Sequence, residues 1–200
     1  MLKLNNQYFI LRHGETTYQT KKRGFTYPWP DNPSVKLTKK GEKEIKKIAK
    51  EIKKIGIDLI YSSDFLRTCQ TAEIVAKILG LKIIFDKRLR DINFGIFYGG
   101  KIDEYRKFFT NKKQKFFKRP PKGESWRDVK KRTIDFIKDI EKKYKNKTII
   151  IISHGDPIWL LNGFLKGLNE KELLEKNQFD DTFSSVKGFY PGLSEFLEVK

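Results

Sequence analysis

The chain has 200 residues, 38% apolar and 14% aromatic, which is enough to bury one sizeable core and too few for two independent ones, so residues 1–200 are read as a single domain. Basic residues number 43 against 25 acidic ones, and the formal charge of +18 favours anionic partners such as phosphorylated metabolites. No window is apolar enough to span a bilayer, Met1–Asn6 lacks the layout of a secretory leader, and the one cysteine, Cys69, can neither close an internal disulfide nor build a cysteine metal cluster; no membrane association is expected, and the cytoplasm suits the thiol.

In chain order, Gln7–Arg12 is a short β-branched and apolar run that predicts a buried strand. Lys39–Lys54 carries Ile45, Ile48, Ala49, Ile52 and Ile55 at the helical period, with Thr38 as the expected N-cap. A strand is predicted at Ile57–Ser62, a helix over Asp64–Leu79, and a third strand at Lys82–Asp86. Gly99–Gly123 is the least regular stretch and is read as a variable insertion in which Phe108, Phe109, Phe116 and Phe117 interleave with lysines. A helix follows over Glu124–Tyr144, then a strand at Thr148–Ser153, after which Asp156 is expected to cap a helix that has Pro157 in its first turn. The tail from Thr182 to Glu198 reads as one or two strands broken at Tyr190-Pro191-Gly192. The alternation predicts a three-layer α/β/α sandwich with a mostly parallel sheet, whose ligands gather outside the carboxyl ends of the strands.

Only 9 of the 43 basic residues are arginine, and the lysines are spread over nearly every helix. That pattern fits a solvated surface and disfavours a dedicated nucleic-acid face.

The chain has 2 histidines, and each closes an apolar strand and precedes a glycine: Leu11-Arg12-His13-Gly14 and Ile152-Ser153-His154-Gly155. Glycine at such a place lets the backbone turn and lets an anion approach main-chain amides. A neutral imidazole can attack phosphorus when its other nitrogen keeps its proton, so one histidine is a candidate nucleophile and the other a partner for phosphoryl oxygens. A two-histidine metal site is the rival reading, but no third ligand is convincingly spaced, and no metal or cofactor is expected. Phosphoryl transfer also needs converging cations. Arg12 adjoins His13, and Arg67 stands in a first helical turn, where the helix dipole opposes a cation unless an anion faces it; the alternative for Arg67 is an i,i+3 pair with Asp64.

These segments together resemble the histidine phosphatases, a family that includes the cofactor-dependent phosphoglycerate mutases. Arg12-His13-Gly14-Glu15-Thr16 is similar to the family's signature, and Leu37-Thr38 with Gly41 to the start of its first helix. Ser62-Ser63-Asp64-Phe65-Leu66-Arg67-Thr68 with Gln70-Thr71-Ala72 resembles its second motif, Gly123-Glu124-Ser125 with Arg132 a further recurring segment, and Ser153-His154-Gly155-Asp156 the second-histidine motif.

The resemblance implies that His13 is the nucleophile, that Arg12, Gly14, Arg67, His154 and Gly155 bind phosphate, and that a glutamate-equivalent acid protonates the leaving group. In Arg88-Leu89-Arg90-Asp91-Ile92-Asn93-Phe94-Gly95 that acidic position is Asp91, one methylene shorter, with Arg88 or Arg90 as possible structural partners. Gln19 stands where an asparagine often binds phosphate, and Gly24 resembles the family's substrate-facing turn. The implied activity is hydrolysis of a small phosphomonoester through a phosphohistidine. The alternatives are a cofactor-dependent phosphoglycerate mutase and a non-catalytic phosphate-binding module. The insertion is either a specificity lid or ordinary phenylalanine packing under a lysine face.

Overall fold

The computed structural model of the chain describes residues 4–178 and 187–199. From the N-terminus come β1 (Gln7–Arg12), α1 (Thr17–Lys21), α2 (Lys39–Lys53), β2 (Leu59–Ser62), α3 (Leu66–Leu79), β3 (Ile83–Phe85), α4 (Ile102–Lys107) and α5 (Trp126–Lys143). There follow β4 (Thr148–Ser153), α6 (Gly155–Leu165), α7 (Glu170–Glu175), β5 (Asn177–Gln178), β6 (Lys187–Gly188) and β7 (Phe196–Val199).

The central sheet has the order β3-β2-β4-β1-β7, parallel throughout except for β7, which runs antiparallel along β1. The alternation of side chains along each strand builds both outer layers. Tyr8 and Ile10 of β1 with Ile149 and Ile151 of β4 meet Phe136, Ile137 and Ile140 of α5 and Ile158 and Leu161 of α6 on one face. Phe9, Leu11, Ile150 and Ile152 meet Ile45, Ala49 and Ile52 of α2 and Ala72, Val75 and Ala76 of α3 on the other. The three-layer sandwich is the expected one.

Thr38 caps α2 by accepting the Gly41 amide at 2.9 Å, as its position predicted, and its hydroxyl also donates to Glu15 at 2.8 Å. Two predictions need correction. Asp156 does not cap α6; the cap position is His154, and the Asp156 carboxylate is instead taken by Trp126 Nε1 at 3.1 Å and the Tyr190 hydroxyl at 2.9 Å. The Gly99–Gly123 stretch is more regular than expected, holding α4 and a 3-10 turn at Lys112–Phe116. The tail contributes β6 and β7, the latter after the Tyr190-Pro191-Gly192 break, while 182–186 lie outside the described residues. No helix among the described residues is long and apolar enough to cross a membrane.

Candidate active site

Strand register brings the two histidines together. Arg12 is the partner of Ser153 across the parallel β1–β4 pair, so the next residue of each strand is a histidine at the same sheet edge. The His13 amide donates to the Ser153 carbonyl at 3.1 Å, and the two imidazole rings lie 5.3 Å apart, centroid to centroid. On the other side of β4, Ser62 of β2 pairs with Ile152, so Ser63 follows at the same sheet edge, one step short of His154; its hydroxyl lies 2.9 Å from His154 Nε2. The Ser153 hydroxyl donates to the Leu89 carbonyl at 2.6 Å and so fixes the segment that carries Asp91.

Both imidazoles are buried, His13 to 1% and His154 to 0% exposure. Burial, followed by the Arg67 charge, holds both rings well below the ordinary histidine pKa, so each is neutral at physiological pH. His13 Nδ1 is 2.9 Å from the Gly14 carbonyl, an acceptor that can only receive a proton. This fixes the tautomer: Nδ1 keeps its hydrogen and Nε2 carries the lone pair. For His154 the Ser63 hydroxyl can donate to Nε2, which leaves the Nδ1 proton available to an anion.

Arg67 is fully buried and reaches into the same space from the first turn of α3. Its Nη2 donates to Asp91 Oδ2 at 3.0 Å, and its guanidinium lies over the Tyr27 ring, 3.9 Å from the centroid. The alternative pairing with Asp64 does not occur, because Asp64 is held by Arg90, with Nε at 2.6 Å. Neither do Arg88 and Arg90 claim Asp91: Arg88 binds Asp86 and Asp139. Asp91 Oδ2 is instead 3.0 Å from Arg67 and 3.7 Å from His154 Nδ1. Its loop is pinned by Arg132, which bonds the Arg88 and Asp91 carbonyls at 2.6 and 3.0 Å and pairs with Glu124 at 2.9 Å. The Gly123-Glu124-Ser125 and Arg132 segment thus shapes the acid's position.

Arg12 is set from the C-terminal side: its Nη1 donates to the Pro191 carbonyl at 2.8 Å, and its guanidinium lies 5.6 Å from the Tyr190 ring centroid. Gly155 is required here, since a Cβ at that position would overlap the Tyr190 hydroxyl.

Among the described residues, Arg12 Nε, Arg67 Nε and Nη1, and His154 Nδ1 are buried without a hydrogen-bond partner, as is Asp31 Oδ1. Buried polar atoms are nearly always satisfied, so a cluster of orphaned donors beside the unprotonated His13 Nε2 is an arrangement that can receive an anion with several oxygens.

The remaining expected residues contribute less directly. The Gly14 amide is engaged with Thr71 Oγ1 at 3.2 Å. Gln19 closes the capping box of α1, its side-chain oxygen accepting from the Thr16 amide at 3.2 Å, which leaves only its amide nitrogen to donate elsewhere. Gly24 makes a turn at φ +85°, and its carbonyl receives the Ile102 amide at 2.8 Å, tying this loop to α4.

Sequence reading missed Tyr27 and Asp31. Tyr27 covers Arg67 and bonds the Thr16 hydroxyl at 3.0 Å; Asp31 accepts the Leu66 amide at 2.7 Å and lies 3.7 Å from Arg67 Nη1. The available signal was the aromatic loop itself, Phe25-Thr26-Tyr27-Pro28-Trp29, set close behind the first histidine.

Known proteins are similar to this chain. "Probable phosphoglycerate mutase GpmB" of Escherichia coli O1:K1 is 32% identical over 167 residues, covering 81% of this chain and 75% of the relative. The structure of YhfR from Bacillus stearothermophilus is similar at a TM-score of 0.73 and 25% identity, covering 95% of this chain and 98% of that one. A mycobacterial glucosyl-3-phosphoglycerate phosphatase complexed with VO3 has the same fold at a TM-score of 0.77 and 20% identity, over 96% and 91% of the two chains. The model of the histidine phosphatase superfamily (branch 1) matches residues 8–198, and the chain belongs to that family.

Proposed function

We propose that residues 1–200 act as one domain that hydrolyses a small phosphomonoester through a phosphohistidine on His13, without a metal ion. The observation that carries this reading is the His13 Nδ1 contact with the Gly14 carbonyl, which leaves Nε2 unprotonated beside the orphaned donors of Arg12, Arg67 and His154. Nε2 attacks phosphorus, a nitrogen–phosphorus bond forms, and the bond to the leaving oxygen breaks. Arg12, Arg67 and His154 Nδ1 take up the charge on the equatorial oxygens, the task a metal would otherwise perform. The arriving phosphoryl group competes with Asp91 for Arg67, which turns the Asp91 carboxyl toward the leaving oxygen. Asp91 relays the proton of the substrate monoanion to that oxygen and then takes a proton from the water that cleaves the nitrogen–phosphorus bond, releasing inorganic phosphate and freeing Nε2. A cytoplasmic site of action fits the unpaired thiol of Cys69.

Assaying the chain against a panel of phosphorylated metabolites in the presence of EDTA tests this. Turnover that persists in EDTA and disappears in His13→Ala is expected; turnover that survives in His13→Ala, or that requires added metal, would overturn it. The E. coli relative's name favours a second reading, in which the phosphoryl group passes to another hydroxyl. Conversion of 3-phosphoglycerate that depends on 2,3-bisphosphoglycerate and outpaces phosphate release would select the mutase reaction.

A further inference from the structure

In the proposed reaction the leaving group lies against Asp91, which is bonded to Arg67. Aromatic rings pack next to Arg67 and His154. Trp29 is 44% exposed, while the other 2 tryptophans, Trp126 and Trp159, are 3% and 0% exposed. Its ring is nevertheless held firmly. It stacks on Phe65 with centroids 4.9 Å apart and 29° between planes, and the Arg90 guanidinium, fixed by Asp64, lies 5.2 Å from its centroid. Phe65 joins this shelf to the chemistry, with its ring 5.2 Å from the His154 ring and 5.2 Å from the Arg67 guanidinium carbon.

Tyr98 lies beside this shelf, with its ring 6.3 Å from that of Trp29. Burial, and then the nearby Asp91 charge, push its phenol up to about 12. A large apolar ring stacked on Phe65 and yet partly exposed, as that of Trp29 is, is suited to covering a planar apolar group.

We propose that the leaving group of the substrate carries an aromatic or heteroaromatic ring that stacks on Trp29 and Tyr98, making these two side chains the specificity determinants of the site. This rests on the phosphomonoesterase reading and names the substrate class within it. It also moves selectivity from the Gly99–Gly123 insertion, whose Phe109 and Phe116 are buried at 7% and 0% exposure, to the loop that carries Trp29.

The test compares kcat/KM for benzyl phosphate, adenosine 5′-monophosphate and glycerol 3-phosphate, all of which release a primary alcohol, so intrinsic leaving-group reactivity is matched. The wild type is expected to prefer at least one ring-bearing substrate by roughly tenfold. Trp29→Ala should bring the ratio of ring-bearing to glycerol 3-phosphate kcat/KM close to one, and Trp29→Phe should restore most of the preference. Whichever of the two ring substrates gains more from Trp29 distinguishes an isolated aryl group from a nucleoside.

A second readout needs no aromatic-to-alanine variant: in His13→Ala, benzylphosphonate should perturb the fluorescence of Trp29 and shield it from acrylamide, and methylphosphonate should not. Equal rates on all three substrates, unaffected by Trp29→Ala, together with no difference between the two phosphonates, would overturn the ring proposal and leave the phosphatase reading standing. No hydrolysis of any substrate by the wild type would overturn the phosphatase reading itself.

Discussion

The sheet-edge pocket and the Gly99–Gly123 insertion both look basic in sequence, and they handle their cations in opposite ways. In the pocket, Arg67 is buried and Arg12 half-buried, and each keeps buried nitrogen without a hydrogen-bond partner, Arg67 although carboxylates lie close by. In the insertion, Lys115 and Lys118 rest on ring faces, Lys115 5.0 Å from the Tyr105 centroid and Lys118 4.1 Å from that of Phe108. The Lys118 ammonium also reaches the Phe108 carbonyl at 2.6 Å. The phenylalanines divide likewise: Phe109 packs with Ile102 and Tyr105, Phe116 packs with Ile92, Trp126 and Trp159, and Phe117 is exposed. Positive charge alone is therefore a poor sign of a ligand. Buried donors that the protein leaves unsatisfied are a better one.

The comparison breaks first at Arg67. Arg67→Met should lower kcat/KM by about 10²–10³-fold, because donors aimed at transition-state charge are worth that much. A drop below about tenfold would mean that its orphaned nitrogens await nothing.

In the insertion the expected effect is on stability. Phe116→Ala should destabilise the fold by about 3 kcal/mol in chemical denaturation, by loss of transfer energy and creation of a cavity, while the ratio of rates on different substrates stays unchanged. A changed substrate ratio in the folded variant would restore the lid reading of this segment.

The smallest effect is expected at Lys115, whose pKa is lowered to about 8, chiefly by burial. The folded state then binds fewer protons than the unfolded chain between about 8 and the ordinary value of 10.5, so stability rises as pH climbs through that window. Lys115→Met should accordingly stabilise the protein by about 1–2 kcal/mol at pH 7, with the gain shrinking toward pH 10. A loss of stability at pH 7 would show that the rings compensate the buried charge fully.

How much of this was legible follows from which forces act locally. The strands β1 and β4 stood out because both faces of a central parallel strand are buried, so Tyr8–Leu11 and Ile149–Ile152 read as unbroken apolar runs. The histidine pair was legible because parallel in-register strands carry their next residues to one edge. Asp156 was misread as a cap because its side chain is claimed by Trp126 and Tyr190, 30 and 34 residues away in the chain. Tyr27 and Asp31 were missed for the same reason: their loop has no periodicity, and only the tertiary fold lays it over Arg67. α4 was missed because six residues give too little helical period to recognise among clustered phenylalanines and lysines.

The central claim is that His13 Nε2 becomes covalently phosphorylated. Rapid quenching of the wild type with a ³²P-labelled phosphomonoester measures this most directly. The account predicts protein-bound phosphate that is stable in base, labile in acid, mapped to His13, and absent from His13→Ala; turnover at full rate with no such phosphate trapped, or with the label on another residue, would contradict it.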